Sequence, residues 1–164
     1  MRLFLQLVLI LVVSIPACHA QKTRRYEADH DRKTTEGRTY EAAWSASEWI
    51  GECEYVGYDK QDNISFNNPP TAQYLWVKCF KGPPLQRVPV KFEFEPNGQG
   101  KEPDGWKFGE HLMPEKRSHW IIFIPKAVPV QGSFRTYLGS YGRQEATKEN
   151  LDKLMAVIEK HSAR

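Results

Sequence analysis

Cysteine is scarce in this sequence: Cys18, Cys53 and Cys79 are the only three. So few exclude a small scaffold built on a disulfide framework, and none has a neighbour at metal-ligand spacing, so no zinc motif is present. An excess of one charge is lacking too. The 23 basic and 20 acidic side chains leave +3, with no basic cluster of the kind that grips a phosphate backbone, which argues against nucleic acid as partner. No Gly-x-Ser-x-Gly, His-Glu-x-x-His or nucleotide-binding loop occurs, so the common hydrolase, zinc-protease and nucleotide-enzyme signatures are missing. Long apolar runs are missing after the N-terminus. The longest there is Trp120–Ile124, closed by Pro125, too short for a membrane span or a useful helix.

What is present suits one domain behind a targeting segment. The chain has 164 residues, 40% apolar and 12% aromatic, enough for a core. Residues 1–20 read as a secretory signal peptide: Arg2 is its basic start, Leu3 to Val13 its apolar stretch, and Pro16 ends it before small residues. Two outcomes remain open. Cleavage after Ala20 frees Gln21, whereas Ile15-Pro16-Ala17-Cys18 resembles a lipobox and would lipidate Cys18. Either way the expected location is exported: secreted, periplasmic or held at the cell envelope. Residues 21–39 are polar and aperiodic and read as a flexible arm, Asp29-His30-Asp31 included.

The domain is expected over residues 40–161. Tyr40 to Ser47 is rich in alanine and predicts one or two helical turns. Glu48 to Tyr58 alternates, with Trp49, Gly51, Cys53 and Tyr55 on one face and Ile50, Glu52, Glu54 and Val56 on the other. After a loop rich in Asn and Pro, which holds the glycosylation pattern Asn63-Ile64-Ser65, Thr71 to Lys81 predicts a second strand with Leu75, Val77 and Cys79 on one face. An antiparallel hairpin would then set Cys53 opposite Cys79, as a bridge requires; two buried thiols are the alternative. Arg87 to Phe94 predicts a third strand, with Pro89 marking an edge and Lys91 and Glu93 on its wet side. Residues 95–117 form a long irregular segment with apolar anchors at Trp106, Phe108, Leu112 and Met113. Ser118 to Pro125 predicts a central strand buried on both faces, and Phe134 and Tyr137 a short last strand. Thr147 is a natural N-cap for a helix whose apolar stripe is Leu151, Leu154, Met155 and Ile158.

Five strands, a long insertion before the fourth and a closing helix predict a mainly β chain: a small five-stranded Greek-key barrel of the OB type with a C-terminal α-helix. The sequence resembles the netrin-like, TIMP-like superfamily in its bacterial secreted branch. The resemblance rests on Ser47-Glu48-Trp49-Ile50-Gly51-Glu52-Cys53, Val77-Lys78-Cys79-Phe80-Lys81-Gly82-Pro83, Trp120-Ile121-Ile122-Phe123-Ile124 and Ala146-Thr147-Lys148-Glu149-Asn150-Leu151. It implies an OB barrel with a binding habit. It does not carry metalloproteinase inhibition over: the inhibitors present a free N-terminal Cys to the target's zinc, whereas the soluble form here starts at Gln21 and a lipidated Cys18 would be blocked.

The functional expectation is an exported, non-catalytic binding module without cofactor. Its partner would be an extracellular or cell-envelope protein or glycan, with a membrane involved only through lipid on Cys18. Trp106, Phe108, His111, Tyr141 and Arg143 are the candidate binding residues, and Trp120 reads as core. The alternative is a small exported hydrolase, for which His119 is the best candidate base.

Overall fold

A computed structural model describes residues 37–96 and 101–163. The predicted signal peptide, Cys18 and nearly all of the polar arm lie outside the described residues.

The domain begins with helix α1, Tyr40–Ala46. The Thr39 hydroxyl caps it, accepting from the Ala42 backbone N–H at 3.1 Å. Three strands follow as a meander: β1 (Trp49–Tyr58), β2 (Thr71–Lys81) and β3 (Arg87–Lys91). The chain then crosses through a 3-10 turn at Glu110–Leu112 to β4 (His119–Ile124). It passes a second 3-10 turn at Gly139–Gly142 into β5 (Arg143–Glu145) and ends in α2 (Lys148–Ser162). All strand pairings are antiparallel, in the order β3-β2-β1-β4-β5. The sheet is open: strand pairing does not close it into the expected barrel. Of the stretch expected to be buried, Ile121 to Ile124 lie inside, whereas His119 is exposed and Trp120 half-buried, and β1 rather than β4 is the middle strand.

The two faces of β1 separate two cores, as its alternation predicts. Ile50 joins Ile121, Phe123, Ala43 and Leu154 under the helices. Trp49, Cys53 and Tyr55 join Tyr74, Val88, Val90, Ile122, Ile124 and Phe134 on the other face, which irregular chain covers. The Thr147 hydroxyl caps α2 by accepting from the Asn150 N–H at 3.2 Å. In its predicted stripe, Leu154 is buried and Leu151 and Ile158 pack beside it, but Met155 is exposed.

The β1–β2 register differs from the expected one: Tyr58 opposes Ala72 at the turn end, which sets Cys79 opposite Gly51 and not Cys53, and bulges lie along the pair. Glu52 opposes Lys78 and Cys53 opposes Trp76, so Val77 is an extra residue; Phe80 is another, between the Gly51–Cys79 and Ile50–Lys81 pairs. Cys79 therefore leaves the face of Leu75 and packs beside the Trp49 core. The expected Cys53–Cys79 bridge is not formed and both thiols are free. Cys79 is a diagonal neighbour of Cys53, and such pairs lie about 7–8 Å apart, beyond ordinary disulfide reach. Gly82, at φ 84, makes the turn after β2.

Two further expectations are corrected. The third strand stops at Lys91: the Phe92 N–H still donates to the Pro70 carbonyl at 2.9 Å, but proline has no N–H to return the bond. The last strand is Arg143–Glu145, not a segment around Phe134 and Tyr137. Phe134 makes only an isolated parallel bridge with Val90, and left-handed Leu138 and Gly139 interrupt extension after it. This segment nevertheless touches both halves of the sheet: the Lys91 N–H donates to Phe134 O at 2.9 Å, and the Tyr137 N–H to Phe123 O at 2.9 Å. Pro89 lies on edge strand β3, as predicted. Among the described residues no helix is long and apolar enough to cross a membrane.

Candidate binding site

The irregular side of the sheet carries a belt of aromatic rings. Phe94 is its centre: its ring lies 4.8 Å from Trp106, 5.5 Å from Phe92, 6.2 Å from Phe108 and 6.5 Å from Phe66. Phe66 also meets Trp106 edge-on at 5.7 Å, and Phe108 meets Tyr58 at 5.7 Å. The long segment after β3 thus lays Trp106 and Phe108 on rings from the β1–β2 loop and the β3 exit. Edge-on and tilted geometries of this kind suit the ring quadrupoles.

A cleft opens at each end of the belt. The one at the Tyr58 end measures about 550 Å³ and is bordered by Tyr55, Lys60, Glu110 and Lys116. There the Tyr58 hydroxyl donates to Glu110 Oε1 at 3.2 Å. Burial and this carboxylate together push the phenol up from its ordinary value. The one at the Phe66 end measures about 360 Å³, and Phe66 and Phe94 form part of its wall. Arg38, Lys91 and Arg135 line it, with Glu93 as the single carboxylate among the described residues. Leu138 stands at this cleft, 53% exposed, in left-handed backbone at φ 47. That conformation costs a branched residue roughly 1–2 kcal/mol. The turn is held by the Thr136 hydroxyl, which donates to Gly139 O at 2.6 Å. Strain of this kind, stored beside a cleft, is a recurrent mark of ligand-binding turns.

Arg143 lies inside the domain. Its Nη2 donates to the Glu93 carbonyl at 2.6 Å, and the guanidinium stacks 3.9 Å from the Phe92 centroid. Among the described residues Nε and Nη1 have no hydrogen-bond partner, and neither has the Tyr74 hydroxyl. Loss of water lowers the Arg143 pKa from its usual value, while Tyr74 and Glu93 act the other way. Burial likewise drives the Tyr74 phenol well above the ordinary tyrosine range, although Arg143 opposes this. The neighbouring Tyr55 is pushed up to about 12 by its own burial, with smaller effects of Tyr58 and Glu110.

The five predicted binding residues are therefore not one surface. Trp106 and Phe108 come together in the belt. His111 is exposed on the 3-10 turn, with its ring folded over Gly109. Tyr141 is on the opposite face, 6.2 Å from Tyr137 in the helix-covered core. Arg143 is buried, so it acts through Glu93 and Phe92 and not as a surface contact. Sequence reasoning missed Arg38, Phe66, Lys91, Glu93, Phe94 and Arg135. Phe66 had a signal, an aromatic side chain stranded in a polar Asn- and Pro-rich loop.

His119 holds a carboxylate on each nitrogen: Glu52 Oε1 at 2.8 Å from Nδ1 and Glu54 Oε2 at 4.0 Å from Nε2. The neighbouring Ser118 hydroxyl donates to Glu115 O and accepts from Trp120 Nε1 at 2.8 Å. His119 is thus not the partner of that hydroxyl. Among the described residues no group of three or more His, Cys, Asp or Glu side chains could hold a metal ion. No family model, curated protein or solved structure matches the chain.

Proposed function

We propose that this chain is an exported, non-catalytic binding module that takes its ligand on the aromatic belt and the cleft at its Phe66 end. The observation that carries this reading is the convergence there of four separate chain segments: the approach to α1, the β1–β2 loop, the β3 exit and the β4–β5 connection. Binding surfaces built from loops on a rigid sheet are the common arrangement for recognition. Export rests on the leader-like residues Arg2, Leu3 to Val13 and Ala20.

We further read the sheet as a partly open Greek-key barrel of the OB type, akin to the netrin-like superfamily. The bonds of the Phe134–Tyr137 segment to Lys91 and Phe123 support this, since one stretch of chain reaches toward both ends of the sheet. OB barrels bind along one face and its bordering loops.

The test uses the chain recovered from the medium or envelope of expressing cells. Intact mass is expected to start at Gln21 or at a lipidated Cys18. The recovered chain is expected to co-sediment with cell-envelope and extracellular glycan fractions. Phe66→Ala combined with Trp106→Ala should reduce retention by about tenfold, with an unchanged far-UV spectrum. Equal retention by the double variant, or an unprocessed intracellular chain, overturns the reading.

A further inference from the structure

We propose that the Phe66-end cleft recognises a sugar ring bearing a carboxylate, such as a uronate unit of an acidic polysaccharide. The proposal rests on the binding-module reading and names its ligand class.

Charge is the first argument. Arg38, Lys91 and Arg135 line one cleft, yet none forms an ion pair or a side-chain hydrogen bond among the described residues. Arg38 has only an electrostatic influence on Tyr141. Three unengaged cations converging from three segments leave a positive field in a recess, where low-dielectric walls focus it. Arg143 adds to that field from inside the wall. Its guanidinium is bonded to the carbonyl of Glu93, a residue of the cleft lining, and among the described residues two of its nitrogens have no hydrogen-bond partner. Two guanidinium forks at the cleft suit a carboxylate, which they grip bidentately.

Glu93 narrows the class. A carboxylate among the cations repels a bare inorganic anion or a densely sulfated chain. It is, however, an acceptor that hydroxyl donors can use. A ligand that carries both a carboxylate and hydroxyls satisfies the whole set. Asn67 and Ser140 add an amide and a hydroxyl at the same cleft, neither side chain being engaged in a hydrogen bond among the described residues. The faces of Phe66 and Phe94 supply apolar surface for the C–H side of a sugar ring. The cleft volume of about 360 Å³ lies at the small end of ligand cavities, which run about 300–1,000 Å³. It fits a short saccharide and is too small to seat a protein surface.

The test is calorimetric titration of the full chain with trigalacturonate, triglucuronate and trimannuronate, each against its fully methyl-esterified form. Esterification removes the charge and keeps the ring. At least one acid trimer should bind at micromolar to millimolar concentration, at least about tenfold more tightly than its ester. Arg135→Gln and Lys91→Gln alter exposed or half-exposed side chains and leave the core intact; each should weaken the acid by about tenfold and barely change the ester. Glu93→Gln should weaken the sugar and strengthen inorganic sulfate. Absence of binding by every acid trimer overturns the proposal. Equal affinity for acid and ester, with Arg135→Gln silent, also overturns it. If Phe66→Ala with Trp106→Ala still releases envelope material in either case, the binding-module reading survives the failure of this one.

Discussion

The two faces of the sheet are closed in different ways. On one, α1 and α2 cover Ile50, Ile121 and Phe123 with Ala43 and Leu154. Caps and periodic stripes local to each helix build that cover. On the other, chain without regular structure covers a larger set that runs from Trp49 and Tyr74 to Met113 and Phe134. It is held by bonds between residues far apart in sequence, such as Trp49 Nε1 to Pro83 O at 2.8 Å and Arg143 Nη2 to Glu93 O at 2.6 Å. The buried guanidinium, the aromatic belt and both clefts lie on the second side. A scaffold side and a recognition side follow: periodic elements fix the sheet, and the irregular cover is free to differ in shape and charge.

The largest expected effect tests this division. Phe123 is buried under the helices, with its ring 5.6 Å from Tyr40. Phe123→Ala should cost about 3–5 kcal/mol in urea denaturation, the usual range for a fully buried phenylalanine. Phe94→Ala removes a half-buried ring of the belt and should cost less than half of that, while weakening ligand retention. If the Phe94 variant proves as unstable as the Phe123 variant, the belt belongs to the core and the division fails.

A smaller effect probes the sheet from its irregular side. A Cβ at Gly51 would come within 2.7 Å of Trp49 Cζ2 and meet Cη2 more closely still, in front of the Lys78 carbonyl at 3.0 Å. Trp49 is fully buried and tied through its indole N–H to Pro83. Gly51→Ala must therefore push the indole out of place, an overpacking cost of about 1–3 kcal/mol. The near-UV tryptophan signal should change with it. Unchanged stability and spectrum would mean that Trp49 repacks freely and that this core is looser than the helix-covered one.

The same division decides what can be read from sequence. Strands β1 and β2, the Thr147 cap and the buried run of β4 are legible because alternation, helical spacing and cap residues are local signals. The Val77 bulge is not, nor is the register of the hairpin, which sets Cys79 opposite Gly51 rather than Cys53. Phe134 and Tyr137 look like a short last strand in sequence, yet their backbones bond to different strands, Phe134 to β3 and Tyr137 to β4, and the true strand comes later. For the site, Trp106 and Phe108 stand out as apolar anchors in a polar segment. Lys91 and Glu93 are readable as wet positions but not as neighbours of Arg135, since that juxtaposition depends on the tertiary path of the β4–β5 connection. Arg143 reads as a surface residue because arginine is almost never fully buried. Its stacking on Phe92 and its bond to Glu93 are long-range events that composition does not announce.

The smallest expected effect concerns how the two helices of the scaffold side are joined. Glu41 on α1 accepts from Lys160 at 3.2 Å and hydrogen-bonds His161 at 2.9 Å, both on α2, and the His161 ring stacks 5.9 Å from Trp44. Partial desolvation alone would raise the Glu41 carboxyl, but the hydrogen bonds and charges of Lys160 and His161 outweigh it and hold the group below its ordinary value of 4.5. A carboxylate depressed in the folded state binds its proton more readily when unfolded. Its contribution is therefore complete above the ordinary value and disappears as pH falls through the depressed one. Exposure and salt keep such a contribution small. The denaturation midpoint should fall on acidification below the ordinary value, and Glu41→Gln should flatten part of that fall while leaving the neutral-pH midpoint slightly lower. High salt should shrink the difference between the two proteins. A Glu41→Gln variant whose acid profile overlays that of the parent would show that stacking of His161 on Trp44 and burial of Leu154, rather than charge, hold α1 to α2.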